Sequence, residues 1–132
     1  MIVFDASTVV SAALKADSVP ERALLRAEET DLFALSTAVD VEIADVLGRP
    51  KFAGMVSRER RESILDTLRG TAVWFEPTER ITECRDPKDN KYLELALAAG
   101  AVIIVSSDND DLLVLHPWSG VRILRPAEYL AL

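Results

Sequence analysis

The run AVIIV at residues 101–105 is the feature that most constrains the fold of this chain. A short, continuous, mostly β-branched segment of this kind is typical of a central strand in a parallel sheet covered on both faces. It follows the helical pattern DPKDNKYLELALAAG at 86–100. In that pattern Asp86 is the expected N-cap, Pro87 takes the first helical position and Gly100 ends the helix. These residues predict one helix–strand unit of an α/β fold.

The rest of the chain alternates short apolar runs with longer helical patterns. Ser7 or Thr8 is the expected cap of the first helix. The alternation predicts a three-layer α/β/α sandwich with a mostly parallel sheet. No repeat or linker divides the 132 residues, so we expect a single domain, 1–132. Strands are expected in IVF, DLFAL, TAVWFE and VRIL, and helices in STVVSAALKA, VPERALLRAEE, TAVDVEIADVL, SRERRESILDTLR and PAEYLAL.

Composition limits the partners of this chain. Its formal net charge is −7 with a pI near 4.7, which argues against broad, nonspecific binding to phosphate backbones. Any nucleic-acid role therefore requires a local basic patch or a bound metal. Cys84 is the single cysteine, so no intrachain disulfide or thiolate zinc site can form. Without a signal peptide or a run of 18 apolar residues, we expect a cytoplasmic protein that does not associate with membranes.

Acidic residues follow two of the expected strands. Asp5 comes directly after IVF, and the acidic stretch SSDNDD at 106–111 comes directly after AVIIV. Open α/β folds bind ligands at the carboxyl ends of their strands. If these two strands are neighbours, their acids lie at the same edge of the sheet. Asp110 and Asp111 also have a simpler interpretation as solvated turn residues.

Two further acids belong to helices. Glu42 lies on the border of the apolar stripe of TAVDVEIADVL, where a partly buried carboxylate needs a partner. Asp89 falls in the first turn of its helix on the inward side and needs a counter-charge. A salt bridge for Glu42 and a helix-dipole contact for Asp89 are the simpler interpretations. Convergence of the acids favours a Mg²⁺ or Mn²⁺ site that serves phosphoryl transfer.

Four sequence blocks, in this order and spacing, resemble the PIN-domain family over nearly the whole chain. They are DAS at 5–7, the helical glutamate followed by VLGRPKF, DPKDNKYLELALAAGA at 86–101 and VSSDNDDLLVL at 105–115. More narrowly, the chain resembles bacterial toxins of toxin–antitoxin systems related to the VapC ribonucleases. The resemblance implies an α/β/α sandwich and a Mg²⁺- or Mn²⁺-dependent nuclease acting chiefly on RNA. It also implies products that carry a 5′-phosphate and a 3′-hydroxyl.

The resemblance also implies roles for individual residues. The family's four acids correspond to Asp5, Glu42, Asp89 and Asp108. Asp5 and Asp89 are expected to be direct metal ligands, with the other two completing the shell.

The resemblance also implies roles for two serines, and the spacing of the last block leaves alternatives for the fourth acid. Ser7 is expected to support the first acid, and Ser107 to orient a water or phosphate. The stretch SDNDDLL has one residue more than the family pattern before its leucines. Asp108 is preferred as the fourth acid, while Asn109 and Asp110 remain alternatives.

Partners follow from a basic segment and from the resemblance. The basic segment runs from Arg49 to Arg61. One alternative for it is a solvated helix face whose basic residues are interleaved with acids. The resemblance implies an RNA substrate, a cognate antitoxin protein and a homodimer formed through helices at 19–29 or 57–69. The alternative function is a catalytically inactive PIN-like module that binds proteins. The basic residues proposed to contact phosphates are Arg49, Lys51, Arg58, Arg60 and Arg61.

Overall fold

The computed structural model describes residues 1–107 and 109–132. Helices and strands alternate along these residues, and no described helix has the length and apolar character needed to span a bilayer. The strands are β1 (Ile2–Phe4), β2 (Ala34–Leu35), β3 (Val73–Trp74), β4 (Ile103–Val105) and β5 (Arg122–Leu124). The helices are α1 (Ala6–Leu14), α2 (Val19–Glu29), α3 (Thr37–Leu47), α4 (Arg58–Thr71), α5 (Asn90–Ala99), α6 (Asp110–Leu113) and α7 (Pro126–Leu130), with 3₁₀ turns at Pro50–Phe52 and Pro87–Asp89.

All the paired strands run parallel. One sheet has the order β1-β4-β5, and β2 pairs with β3 in a second sheet. A parallel bridge between Ile2 and Phe33 joins the two sheets at one point. The predicted α/β fold with a parallel sheet is therefore confirmed.

Apolar side chains from every layer meet in one core. Helix α5 packs against β1, β2 and β4, while α1 packs on α2 and α3, and α2 packs on α7. Phe4 lies edge-on to Phe33 and to Tyr129, with ring centroids 5.7 and 6.1 Å apart. Edge-to-face contacts add to the burial energy of aromatic rings. The central strand β4 is buried at all three positions, as the apolar run predicted.

The start of α1 differs from the prediction. Asp5, rather than Ser7 or Thr8, is the N-cap, because its backbone is extended and its carboxylate accepts from the Thr8 amide at 3.0 Å. The helix begins immediately after strand β1, so the first polar side chain past the strand takes the cap. This arrangement fixes Asp5 at the junction of strand and helix.

The helix predicted at 86–100 is confirmed with one refinement. Asp86 caps it by accepting from the Lys88 amide at 3.0 Å, and Gly100 ends it with a φ of 62°. Its first turn is the 3₁₀ turn Pro87–Asp89, and the α-helix begins at Asn90.

Helix α6 was not expected. The sequence favours turn residues at Asp110 and Asp111, yet they form the first turn of this helix. Acidic side chains favour the positive end of a helix dipole, and burial of Leu112 anchors the short element in the core.

Candidate metal centre

A cleft opens where β1 and β4 end. The two strands are neighbours, with Phe4 opposite Val105, so Asp5 and Ser106 follow them at the same edge of the sheet. The Asp5 amide donates to the Val105 carbonyl at 3.1 Å and ties the two strand ends together. The cleft has a volume of about 560 Å³, and its wall includes Asp5, Glu42, Asp86, Asp89, Tyr92 and Asn109.

Asp5 is buried and held by hydroxyl groups. Its Oδ1 accepts from Ser7 Oγ at 2.8 Å and from Thr8 Oγ1 at 3.0 Å, and its Oδ2 accepts from Ser106 Oγ at 2.6 Å. Burial raises the pKa of Asp5, and these hydrogen bonds lower it in part. Because each carboxylate oxygen has two lone pairs, the carboxylate of Asp5, which lines the cleft, retains capacity for a cation.

Three carboxylates form the compact acidic group of the site. Asp86, Asp89 and Asp111 each offer an oxygen that lies within 4.8 Å of the other two. Asp86 and Asp89 meet because residues three apart in a 3₁₀ turn lie on the same side. Asp111 is brought to them by helix α6. Asp89 is 7% exposed, while Asp86 is on the surface, so the group reaches from the protein interior to solvent.

The charge of Asp89 is only weakly compensated. Burial raises the pKa of Asp89, and the charges of Asp86, Glu42 and Asp111 raise it further. A hydrogen bond with the Asn109 side chain lowers this pKa in part. Among the described residues, the hydrogen-bond partner of Asp89 is therefore an amide, whereas the sequence predicts a counter-charge. A carboxylate in this position gains from a bound cation.

Glu42 has the partner that its position requires. Lys91 Nζ donates to Oε2 of Glu42, and the Tyr92 hydroxyl donates to Oε1 at 2.6 Å. The Tyr92 oxygen in turn accepts from the Ala6 amide at 3.1 Å. These contacts link α3 and α5 to the start of α1. The predicted salt bridge of Glu42 therefore exists, and it lies in the wall of the acidic cleft.

The donor set of the cleft suits a hard divalent ion. Carboxylate oxygens predominate among its candidate ligands, and Mg²⁺ and Mn²⁺ prefer oxygen donors. The close carboxylates of Asp86, Asp89 and Asp111 repel one another without a cation. Their spacing and chemistry fit a metal that binds at this edge of the sheet.

The two predicted supporting serines lie near Asp5. Ser7 donates to it directly, and Ser107 lies beyond, with its amide donating to Ser7 Oγ at 3.3 Å and its hydroxyl to Thr8 Oγ1 at 3.2 Å. Asp108, the preferred fourth acid, lies outside the described residues. Of its alternatives, Asn109 bonds to Asp89 and lines the same cleft.

The predicted basic segment is divided by the fold. Arg49 lines the cleft and pairs with Asp45 at 3.6 Å. Arg60 instead contacts the end of α1, with its guanidinium donating to the Ala12 and Ala13 carbonyls, and it pairs with Glu21 at 2.6 Å. Of the others, Arg58 pairs with Glu62, Lys51 lies over the Phe52 ring, and Arg61 is half-buried.

Several residues of the site were not expected from the sequence. The sequence predicts a turn residue at Asp111 and a helix cap at Asp86, and it assigns no role to Ser106. A signal existed for Ser106, because a serine directly after a buried strand shares the sheet edge with the acids. Lys91 and Tyr92 follow Asp89 within one turn, but sequence alone does not reveal that they reach Glu42 on another helix.

Comparison with known proteins agrees with this geometry. A family model described as PIN domain matches residues 1–110. The chain is also 29% identical over 111 residues to an uncharacterized protein of Methanocaldococcus jannaschii, an alignment that covers 83% of this chain and 71% of that protein. The match to the family model extends from β1 to the start of α6, so it includes the described carboxylates Asp5, Glu42, Asp86 and Asp89.

Proposed function

The chain belongs to the PIN-domain family, and from this premise we propose that it is a metal-dependent endoribonuclease. In this proposal it is the toxin component of a toxin–antitoxin system. The observation that carries the nuclease proposal is the compact group of Asp86, Asp89 and Asp111, two of which, Asp86 and Asp89, line the same cleft as Asp5 and Glu42. The toxin role rests on the resemblance of the four sequence blocks.

In the proposed reaction, water hydrolyses an RNA phosphodiester and leaves a 5′-phosphate and a 3′-hydroxyl. Asp89 and Asp5 would be the principal ligands of Mg²⁺ or Mn²⁺, with Asp86 and Asp111 beside them. When bound, the ion would lower the pKa of water at the site and offset the charge that develops on the phosphate.

The chain's own side chains would keep these ligands in position. Ser7, Thr8 and Ser106 hold the Asp5 carboxylate, and Asn109 holds Asp89. Hydrogen-bonded partners of this kind orient metal ligands and tune their basicity. The sequence also predicts Asp108 and Glu42 as members of the ligand shell and Ser107 as an orienting group.

RNA binding would depend on cations at the rim of the cleft. Arg49 and Lys88 line the cleft and are suited to contact phosphates on either side of the scissile bond. Arg49 comes from the predicted basic segment. Lys51, Arg58, Arg60 and Arg61 remain predicted phosphate contacts outside this cleft.

The proposed partner is a cognate antitoxin that covers the acidic cleft. A basic segment of the antitoxin would be attracted to the group of carboxylates. Because this chain is acidic overall, it offers no broad basic surface that would compete for them. We also propose that the protein is cytoplasmic and forms a homodimer through α2 or α4. Size measurement by light scattering tests the dimer, and co-expression with the adjacent gene product tests the antitoxin.

Cleavage of a labelled, mixed-sequence RNA by the purified chain tests the activity. We expect cleavage with Mg²⁺ or Mn²⁺ that is lost with EDTA and in Asp5→Asn. Asp66→Asn, an exposed substitution on α4, is the matched control and should cleave like wild type. If metal-loaded wild-type protein binds the ion but cleaves none of a varied set of RNAs, the chain is better described as an inactive PIN-like binding module.

A further inference from the structure

Glu42 is an acid of the cleft that pairs with a mostly shielded cation, whereas the Arg49–Asp45 pair of the same cleft is exposed. Both of its carboxylate oxygens are engaged, Oε2 by the Lys91 ammonium and Oε1 by the Tyr92 hydroxyl at 2.6 Å. The Glu42 and Lys91 side chains are 22% and 21% exposed, so the pair is mostly shielded from water. An ion pair in this position is screened less by salt than a surface pair.

The other acids of the proposed metal centre are compensated differently. Asp89 is bonded to an amide, and Asp5 is bonded to hydroxyl and amide groups. Asp111 pairs with Arg85 at 2.7 Å, but the Arg85 side chain is 86% exposed, so this pair is open to screening by salt. Within residues 1–107 and 109–132, the cleft therefore has one end without a buried cation, around Asp89, and one end that contains such a cation, at Glu42.

We propose that Lys91 is a built-in cation of the metal centre, which neutralises Glu42 and competes with divalent ions for that carboxylate. The site would then take a single divalent ion, held at the Asp89 end, with the Lys91 ammonium in place of a second. This inference rests on the metal binding that the proposed function requires. It gives a positioning role to Lys91, which lies in the sequence block at 86–101.

Tyr92 makes this arrangement rigid. Its ring is buried at 1% exposure, and its hydroxyl donates to Glu42 while accepting from the Ala6 amide. Glu42 is thereby restricted to the position in which Oε2 meets Lys91. A divalent ion that approached Glu42 would have to displace the ammonium or tolerate its repulsion.

Lys88, proposed above only as a contact for RNA phosphates, supplies a matched control for metal binding measured without RNA. It lines the same cleft and carries the same charge, yet it makes no ion pair among the residues that the structure describes. Substituting Lys88 changes the long-range potential of the site without touching Glu42. A difference between Lys88 and Lys91 variants therefore isolates the direct contact.

The experiment measures Mn²⁺ binding by titration calorimetry and electron paramagnetic resonance on the full chain. We expect one Mn²⁺ per chain in wild type. Lys91→Met should bind Mn²⁺ about tenfold more tightly or take a second ion, a change of about 1.4 kcal/mol per tenfold. Lys88→Met should change the affinity by less than about threefold, since an exposed charge is screened by salt. In a Glu42→Gln background the Lys91→Met effect should disappear, because the contact is already lost.

Other results would overturn the inference. Wild-type affinity and stoichiometry in Lys91→Met, or equal effects of the two lysine substitutions, would leave Lys91 no special role. If Lys91→Met does not fold, as judged by thermal melting in EDTA, Lys91→Gln removes the charge and keeps a hydrogen-bond donor, and the same outcomes apply. If wild type cleaves RNA and binds two Mn²⁺ ions, this inference alone fails. If wild type binds no Mn²⁺, the proposed function fails with it.

Discussion

Asp5 has two roles, because it caps α1 and faces the acidic cleft. It accepts hydrogen bonds from Ser7, Thr8 and Ser106, and all of these would be lost in Asp5→Ala. We expect this substitution to lower the free energy of unfolding by about 1–3 kcal/mol. Asp5→Asn keeps one acceptor oxygen and also removes the cost of ionising a buried carboxyl whose pKa is raised, so it should cost less, although both variants lose cleavage. Urea denaturation in EDTA measures the difference, and an Asp5→Ala protein as stable as wild type would contradict the assigned hydrogen bonds.

Asp89 should show the opposite effect on stability. Burial and the charges of Asp86, Glu42 and Asp111 raise its pKa above the usual 3.8. Its protonated form therefore favours the folded state below pH 3.8, and this contribution is lost as the pH rises through the folded-state pKa. Asp89→Asn stays neutral at every pH.

In EDTA at neutral pH, we expect Asp89→Asn to melt about 2–4 °C above wild type while losing metal-dependent cleavage. The gain in melting temperature should shrink as the pH falls below the ordinary range of carboxylates. Asp66→Asn, an exposed control, should show neither change. A lower melting temperature for Asp89→Asn in EDTA would show that Asp89 is stabilised rather than strained in the metal-free fold.

For single residues, the sequence predicted which acids belong to the site better than it predicted their contacts. Asp5, Glu42 and Asp89 were expected in one place because each lies at a strand end or on an inward helix face, and all three line the cleft. Asp111 was missed because its role depends on the unexpected helix α6. Lys91 was missed because its contact with Glu42 joins two helices whose mutual position no local pattern determines.

Between elements, a second cleft, lined by residues of α2 and α4, contains another acid whose charged form is disfavoured by burial. Glu28 Oε2 is buried without a hydrogen-bond partner among the described residues, next to Leu24 and Ile64. Burial, with a smaller contribution from the Glu29 charge, raises the pKa of Glu28 to about 7. The protonated carboxyl therefore favours folding at pH values below 4.5, the usual pKa of glutamate. That stability is lost as the pH rises through about 7.

Glu28→Gln should raise the melting temperature at about pH 8 by a few degrees and leave it unchanged near pH 4. Glutamine resembles the protonated carboxyl, so only the cost of ionisation is removed. Glu79→Gln makes the same change of charge at an exposed position and is the control. A gain that did not depend on pH would assign the effect to packing rather than to ionisation.

The elements themselves were largely predictable. Strand β4 and helix α5 follow from an apolar run and from cap, proline and glycine signals that lie close together in the sequence. The strands predicted in DLFAL and TAVWFE are longer than those in the structure, where only Ala34–Leu35 and Val73–Trp74 pair with each other. Pairing length depends on the neighbouring strand, which β-propensity does not include.

For the whole molecule, the net charge of −7 makes a bound cation important for stability as well as for chemistry. A ligand that binds only the folded state stabilises it by about 2.7 kcal/mol at 100 times its Kd. Mn²⁺ should therefore raise the melting temperature of wild type, and the rise should be abolished in Asp89→Asn. A rise of equal size in that variant would place metal binding away from the cleft.

The structure of the products tests the central proposal most directly. RNA cleaved by the purified chain in Mg²⁺ or Mn²⁺ would be analysed by mass spectrometry of its ends, with Asp5→Asn as the control preparation. A metal-dependent ribonuclease of the proposed kind leaves a 5′-phosphate and a 3′-hydroxyl, and Asp5→Asn yields neither. Cyclic 2′,3′-phosphate ends, or the same ends from Asp5→Asn, would contradict hydrolysis at this carboxylate site.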